Sequence, residues 1–361
     1  SGAGAWPPCE RRGGAVRAHM MTGARPLREM ADLARRCADA GFSGLVVTEG
    51  GRTAYLSCAA AALATDGLEL ATGVAVAFPR SPMVTATVAW ELAEASGGRF
   101  RLGLGPQVRA HVERRYAAPF DPPGPRMREY VAALRAIFGA FRQGGQLSFE
   151  GRYWRLSLLP PMWSPGPIPV ADPPIDLAAV NPWMLRMAGE VADGVHVHPL
   201  NTPAYLETTL LPGLAEGLGR SGRQPGAFSL FVPLFTAVGD TEEERGRRRE
   251  ACRAMVAFYG STPNYAFIFD QLGRPGTTER LRQAARTGGP QAMAGVIDDQ
   301  LLSHFVLEGT WAQMPALVRR RLEPLGGFRL NAVLYLAGSA PEQPGALERF
   351  GQLAQDLAEA T

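Results

Sequence analysis

Short apolar segments alternate with amphipathic helical segments along almost the whole chain, and this alternation most limits the folds open to it. Strands that alternate with helices pair in parallel, because each helix carries the chain back to the same edge of the sheet. Eight strands are predicted, at 16–21, 44–48, 68–78, 100–105, 174–180, 194–198, 228–238 and 329–337.

The number of these units favours a closed barrel over an open sheet. Eight strand–helix units make a (β/α)8 barrel, and no clear dinucleotide-binding fingerprint follows the first strand. The segment GLGPQV at 103–108 begins like that fingerprint but lacks its third glycine. We therefore predict an α/β fold, a (β/α)8 TIM barrel, with its active site where the strands end.

The remaining segments predict the domain organisation. Residues 1–14 read as a flexible N-terminal extension, 15–340 as a single barrel domain and 341–361 as a C-terminal helical tail. The helical but irregular stretch at about 261–305 interrupts the pattern and reads as an insertion before the last unit. A hairpin is predicted at 146–156.

Composition excludes several classes of function. The chain has no lysine, so all 37 basic residues are arginine, which rules out Schiff-base, pyridoxal-phosphate and Walker-A lysines. A net charge of +3 with scattered arginines predicts no nucleic-acid partner, and no apolar run predicts a membrane span. Four cysteines without a CxxC pair predict a cytoplasmic location.

Two of the five histidines, His196 and His198, stand two apart in DGVHVHP at 193–199. On a strand they share one face. A metal there would need further ligands, and no nearby Cys, Asp or Glu motif supplies them. A pocket role is favoured, chiefly for His198 at the strand end, where an imidazole can donate a hydrogen bond or a proton near neutral pH.

Several segments, in the same order, resemble the bacterial luciferase-like monooxygenase superfamily, and within it the branch that uses the deazaflavin coenzyme F420. They are ELATGVAVAFPRSPM (69–83), SGGRFRLGLGPQVRAHVERRY (96–116), MREYVAALRAIF (127–138), LRMAGEVADGVHVHP (185–199) and AFYGSTPNY (257–265). The resemblance implies a barrel of bacterial-luciferase type with an insertion before the last unit. It also implies a flavin-type ring held across the barrel mouth.

The resemblance implies which residues contact the cofactor. Family members commonly place a non-prolyl cis peptide at a bulge in the third strand, and Gly73-Val74 matches that position. They bind phosphate after the fifth strand, where free N–H groups at a helix start favour an anion. The predicted cofactor contacts are Gly73, Val74, Gly105, Gln107, Ala179, Val180, Asn181 and His196.

The chain departs from the family pattern at two positions that carry protons. Relatives often have an acid followed closely by a histidine after the second strand, but here GGRTAY (50–55) follows Glu49. Relatives also often have a glutamate after the fourth strand, where this chain has Gln107, whose amide cannot act as an acid. The predicted catalytic residues are therefore Glu49, His198 and His19, the last near the end of the first strand.

The resemblance implies hydride transfer between reduced coenzyme F420 and a C=C, C=N or C=O bond of a small-molecule substrate. One alternative is an FMN-dependent monooxygenase that uses dioxygen. Another is a non-catalytic relative that has lost its cofactor and binds a ligand. The family also implies a homodimer, to which the helix at 82–96 could contribute Val84, Val88, Trp90, Glu91 and Leu92.

Overall fold

A computed structural model of the protein describes residues 15–335 and 345–359; the predicted N-terminal extension lies outside the described residues. The strands are β1 (Arg17–Gly23), β2 (Gly44–Thr48), β3 (Glu69–Thr72), β4 (Ala75–Val76), β5 (Phe100–Gly105), β6 (Phe149–Glu150), β7 (Arg155–Leu156), β8 (Ile175–Ala178), β9 (Gly194–His196), β10 (Ser229–Val238), β11 (Val306–Gly309) and β12 (Arg329–Tyr335).

The α-helices are α1 (Leu27–Ala40), α2 (Ala54–Ala62), α3 (Pro82–Ala95), α4 (Arg109–Arg114), α5 (Pro123–Gln143), α6 (Pro182–Val191), α7 (Pro203–Tyr205), α8 (Leu211–Ser221), α9 (Glu242–Gly260), α10 (Ala266–Gln271), α11 (Thr277–Ala294), α12 (Asp299–Ser303), α13 (Met314–Leu322) and α14 (Ala346–Ala358). Single 3-10 turns lie at Pro161–Trp163, Pro225–Ala227, Pro263–Tyr265 and Glu323–Leu325, and a π-helical turn at Leu206–Leu210 joins α7 to α8.

Eight parallel strands close into a ring in the order β1-β2-β3-β5-β8-β9-β10-β12, with β12 paired back to β1. The closing contact between β9 and β10 places Phe231 opposite His196. The predicted (β/α)8 barrel is therefore confirmed. All strands of the ring run the same way, so their carboxyl ends meet on one face, which we call the mouth.

Helix boundaries follow the capping residues that the sequence supplies. Ser81 accepts the N–H of Val84 at the start of α3, and Thr241 and Glu244 form a reciprocal capping box at the start of α9. Gly41 ends α1 with φ of 96°, a conformation that glycine adopts without steric cost. These local signals, which are readable in the sequence, set where the helices begin and end.

The strands differ from the prediction in two places. The predicted strand at 68–78 is divided into β3 and β4 by a bulge at Gly73 and Val74. The strand β11 was not predicted, because four residues carry too little pattern to identify a strand. It pairs with the upper half of β10, so that β10 contacts β9 near its start and β11 near its end.

The C-terminal residues 345–359 pack as part of the barrel. The N–H of Val16 donates to the carbonyl of Leu357 at 3.1 Å, and Gln355 Nε2 donates to the carbonyl of Ala40 at 3.0 Å. Helix α14 thus covers β1 and contacts α1, as the eighth helix of the outer layer. The helix predicted within 341–361 is thus present at Ala346–Ala358, and the division of the chain into domains stays a prediction.

Two additions decorate the barrel. In the hairpin of β6 and β7, the backbone N–H groups of Arg152, Tyr153 and Trp154 all donate to the carboxylate of Glu129 on α5. The predicted insertion contains α10, α11 and α12, and Arg253 of α9 anchors it by donating to the carbonyl of Ile297.

In the described ranges, no helix combines the length and apolar character needed to cross a membrane.

The lower half of the barrel interior contains a buried ion pair. Arg101 on β5 donates to both carboxylate oxygens of Asp176 on β8, at 2.8 and 2.7 Å. The Asp176 side chain is fully buried, and the guanidinium of Arg101 lies over the ring of Phe231, 5.5 Å from its centroid. This contact joins two adjacent strands directly below the mouth.

We expect Asp176→Ala to lower the free energy of unfolding by about 3–5 kcal/mol, because it leaves the buried Arg101 uncompensated. The control is Asp32→Ala, which breaks an exposed pair with Arg35; pairs of this kind contribute about 0–1 kcal/mol. Urea unfolding at neutral pH measures both variants. Equal losses in the two variants would contradict the importance of the interior pair.

Candidate active site

The structure brings several predicted site residues to the mouth. Glu49 follows β2, Gly73 follows β3, Gln107 follows β5, Ala179 follows β8 and His198 follows β9. The parallel order of the strands is sufficient to gather residues that lie far apart in sequence. His19 and His196 are placed differently and lie inside the barrel.

The bulge after β3 forms an apolar platform at the mouth. The peptide bond between Gly73 and Val74 is cis, as the resemblance implied. A Cβ added to Gly105 would lie 2.6 Å from a methyl carbon of Val74 and 3.4 Å from the Cβ of Ala178. Glycine is therefore required at 105 to seat Val74, which is partly exposed and can support a flat ring.

His196 lies directly beneath this bulge. A Cβ on Gly73 would be 3.3 Å from its Nδ1, and a Cβ on Gly103 would be 2.6 Å from its Nε2, so the imidazole fills a slot between two glycines. Its ring stacks on Phe231 with centroids 4.6 Å apart. Burial lowers the pKa of His196 to about 4. The residue supports the bulge from below, and its contact with a cofactor remains a prediction.

His19 occupies the third position of β1, which corrects the expectation that it stands near the strand end. It is fully buried, and its Nε2 lies 3.0 Å from Asn331 Oδ1. Burial, together with the charge of Arg17, lowers the pKa of His19 to about 3. Met21 follows on the same face of the strand and separates the imidazole from the mouth. This geometry gives no support to a catalytic role.

Glu49 is held in an ion pair. Its Oε1 lies 2.5 Å from Arg80 Nη2, and its Oε2 accepts from Arg80 Nη1 at 2.9 Å and from the N–H of Val76 at 2.7 Å. The side chain is only 3% exposed. The pair fastens the loop after β2 to the segment after the bulge. Glu49 therefore positions the bulge, and the catalytic role predicted for it remains a prediction.

His198 reaches the mouth among aromatic rings. Its Nδ1 accepts the N–H of Leu200 at 3.0 Å, so in the neutral imidazole Nε2 carries the hydrogen. Ring centroids of Tyr265 and Tyr259 lie 4.0 and 5.1 Å away. Burial lowers the pKa of His198 to about 3. This residue is thus a neutral hydrogen-bond donor, and the proton donation expected of it stays a prediction.

The two histidines of the HVH motif face different surroundings, one below the bulge and one at the mouth. Across residues 15–335 and 345–359, no three His, Cys, Asp or Glu side chains are grouped in a way that could hold a metal ion.

A set of tyrosines at the mouth was missed from the sequence. The hydroxyl oxygens of Tyr259 and Tyr335 lie 2.9 Å apart, although the residues are 76 positions apart in the chain. Tyr205 donates to the carbonyl of Val180 at 2.9 Å. Burial raises the pKa of Tyr205, and the nearby Tyr265 raises it further. We call the set Tyr335, Tyr259, His198, Tyr265 and Tyr205 the tyrosine arc.

The start of α6 offers an anion site at the mouth. Asn181 Oδ1 accepts the N–H of Met184 at 2.9 Å, and both Asn181 and Pro182 are exposed. The dipole and the free N–H groups of such a helix end favour phosphate. Ala179 is buried just before it. After the neighbouring strand β5, Gln107 is exposed with φ of 61°, and its Oε1 accepts the N–H of Val108.

Residues 13–327 match the family model described as luciferase-like monooxygenase. The chain belongs to the luciferase-like monooxygenase family. Its members are oxidoreductases and monooxygenases. The match confirms the predicted family, and the closed ring of strands has already confirmed the predicted fold.

Relatives of this luciferase-like chain include proteins named for F420. An uncharacterized protein of Mycobacterium tuberculosis is 40% identical over 297 residues, or 82% of this chain and 87% of the relative. The 5,10-methylenetetrahydromethanopterin reductase of Archaeoglobus fulgidus is 26% identical over 326 residues, or 87% and 91%. The structure of coenzyme F420-dependent tetrahydromethanopterin reductase from Methanopyrus kandleri superposes with a TM-score of 0.77 at 21% identity, covering 94% and 98%.

We expect the free energy of unfolding to decrease as the pH is lowered, because two interior histidines are buried in their neutral form. The folded-state pKa values of His19 and His196 are about 3 and 4, below the value of about 6.5 in an unfolded chain. Their contribution is complete above about pH 6.5 and is lost as the pH falls toward 4, because only the unfolded chain then binds protons. Each histidine should lower the free energy of unfolding by about 2 kcal/mol between pH 7 and pH 5.

Urea unfolding at the two pH values measures this loss. His196→Phe, which keeps a ring against Phe231, should reduce the pH-dependent loss by about 2 kcal/mol. His111→Gln changes an exposed histidine and should leave the loss unchanged. A His196→Phe protein with the pH dependence of the wild type would refute the assignment.

Proposed function

We propose that the protein is an oxidoreductase that transfers hydride between reduced coenzyme F420 and a C=C, C=N or C=O bond of a small molecule. The observation that carries the proposal is the apolar platform of Val74, which faces the same mouth as the open N-terminus of α6. A cofactor made of a flat ring and a phosphate-bearing chain needs an apolar surface for the ring and an anion site for the phosphate. The reductases among the relatives, one of which is named for coenzyme F420, support the same assignment.

The residues at the mouth fit a deazaflavin. Val74, seated by Gly105, would support one face of the ring, and the start of α6 at Asn181 would hold the phosphate without a lysine. The Nε2–H of His198 is available to donate a hydrogen bond. When bound in its reduced form, the deazaflavin supplies a hydride with two electrons. The protein orients the substrate against it and excludes water.

Two alternatives remain outcomes of the test. An FMN-dependent monooxygenase fits the same platform, and the family description supports it. A ligand-binding relative without a cofactor is supported by the departures from the family pattern at Gly50 and Gln107.

A cytoplasmic location is part of the proposal, since Cys37, Cys58 and Cys252 are free.

Equilibrium titration of the purified protein with F420 and with FMN, followed by cofactor fluorescence, tests the function. We expect a Kd for F420 in the micromolar range or tighter, on the order of −8 kcal/mol, and binding of FMN at least about tenfold weaker. Preference for FMN would favour the monooxygenase, and binding of neither would favour the relative without a cofactor.

Gly105→Ala tests the platform, because the added Cβ displaces Val74. We expect it to weaken F420 binding about tenfold, equivalent to about 1.4 kcal/mol. Gly246→Ala is the control, since nothing lies within 4 Å of a Cβ at that position. Circular dichroism confirms the fold of both proteins. Equal affinities in the two variants would remove the platform from the binding site.

We further propose that the protein is a homodimer joined through the outer faces of α2 and α3. Leu56 of α2 is 56% exposed, Leu63 directly after the end of α2 is 81% exposed, and Val84 of α3 is 53% exposed. Apolar side chains grouped on exposed helices mark protein interfaces. Trp90 and Leu92, predicted to share this surface, are instead buried against their own barrel, which corrects that part of the prediction.

We expect Leu63→Glu to shift the protein toward monomer in sedimentation-velocity experiments, because a charge would have to be buried in the interface. Phe258→Glu is the control, since Phe258 is an exposed apolar residue of α9. A wild-type protein that sediments as a monomer, or a dimer weakened equally by both variants, would refute the interface.

A further inference from the structure

The hydroxyl pair of Tyr259 and Tyr335 stands across the mouth from the platform. Tyr335 is the last residue of β12, and the Tyr259 ring lies 6.5 Å from that of Phe235 on β10. In the ring of eight strands, β10 stands opposite β3 and β12 stands opposite β5. A substrate lying on a ring that rests on Val74 would therefore have this pair on its far side.

The geometry of the pair is that of a direct hydrogen bond. The two oxygens are 2.9 Å apart, and both residues are partly exposed. One hydroxyl must donate to the other, so the accepting tyrosine keeps its own hydrogen for a further partner. The hydrogen of the accepting tyrosine is then directed away from the pair, and the hydroxyl of the donating tyrosine lies behind it.

The distance alone lets either hydroxyl be the donor. Burial raises the pKa of both residues, and the hydrogen bond from Tyr335 partly offsets this at Tyr259. A donor at Tyr335 is the direction that leaves Tyr259 its own hydrogen and that would stabilise a phenolate there. The titratable groups nearby, His198 and Tyr265, add no charge near neutral pH.

The other candidates at the mouth do not offer an acidic proton. Glu49 is occupied by Arg80 and by the N–H of Val76. Gln107 carries an amide. His198 is neutral, and its Nδ1 is engaged by the backbone. A tyrosine that keeps its proton at neutral pH can act as a general acid when the resulting phenolate is stabilised.

We propose that Tyr259 donates the proton that completes the reduction and that Tyr335 positions it; this inference rests on the proposed function. With a reduced deazaflavin bound, one carbon of the substrate's double bond would receive a hydride and its electron pair. The O–H bond of Tyr259 breaks, and the proton bonds to the adjacent C, N or O atom. The phenolate accepts the hydrogen bond of Tyr335 and regains a proton from water.

This arrangement fixes the stereochemistry of the reaction. With the ring on Val74, hydride would arrive from that side and the proton from the side of Tyr259, so a C=C bond would gain its two hydrogens on opposite faces. A cyclic enone with a methyl group on each alkene carbon would therefore give the product with trans methyl groups, as anti addition requires.

The first test needs no cofactor. In fluorotyrosine-labelled protein, fluorine NMR follows the ionisation of Tyr259, whose signal is assigned by its loss in Tyr259→Phe. We expect Tyr335→Phe to raise the pKa of Tyr259, because the stabilising donor is removed. A pKa that stays the same or falls would overturn the pairing.

The second test measures turnover of enones, imines and ketones with reduced F420. We expect Tyr259→Phe to lower turnover about 100-fold or more while F420 affinity stays within about threefold. Tyr335→Phe should lower turnover less and shift the alkaline limb of the pH profile upward. Tyr116→Phe, a change outside the arc, should retain wild-type turnover.

The outcomes separate the two proposals. Retained turnover in Tyr259→Phe, or a loss confined to Tyr265→Phe, would overturn the assignment of the proton donor. A wild-type protein that binds neither cofactor would instead overturn the proposed function, and the NMR experiment would still decide the pairing of the tyrosines.

Discussion

The site depends on the buried ion pair between Arg101 and Asp176. It fixes β5 against β8 below the mouth, and the guanidinium supports Phe231, on which His196 stacks. His196 in turn fills the space under the bulge. Two charges in a barrel interior are tolerated only while each has its partner. A change in this layer would therefore be transmitted upward through His196 to the platform.

The two halves of the mouth are built by different means. On the side of β3 and β5, small residues and a bulge make a smooth apolar surface, and the pair of Glu49 and Arg80 holds it from outside. On the side of β9, β10 and β12, hydroxyl and imidazole groups of the tyrosine arc face inward. One half suits a ring, and the other suits the polar atoms of whatever lies on that ring.

The sequence was sufficient for the barrel because strand and helix periods, helix caps and terminal glycines are local signals. The sequence predicted the bulge at Gly73 only through the family resemblance. It did not predict the ion pair of Arg101 and Asp176, since a single charge in an apolar strand does not reveal its partner. Tyr259 and Tyr335 were missed for a related reason: the insertion lies between them, and only closure of the ring brings their hydroxyls together.

The contact between Val16 and Leu357 makes the first strand and the last helix neighbours. During synthesis, β1 finds only β2 to pair with until β12 and α14 have been made. Until then the nascent chain carries an unpaired strand edge, and such edges recruit other strands. The barrel closes only when β12 reaches β1, so β1 acquires its full surroundings later than the strands in the middle of the chain.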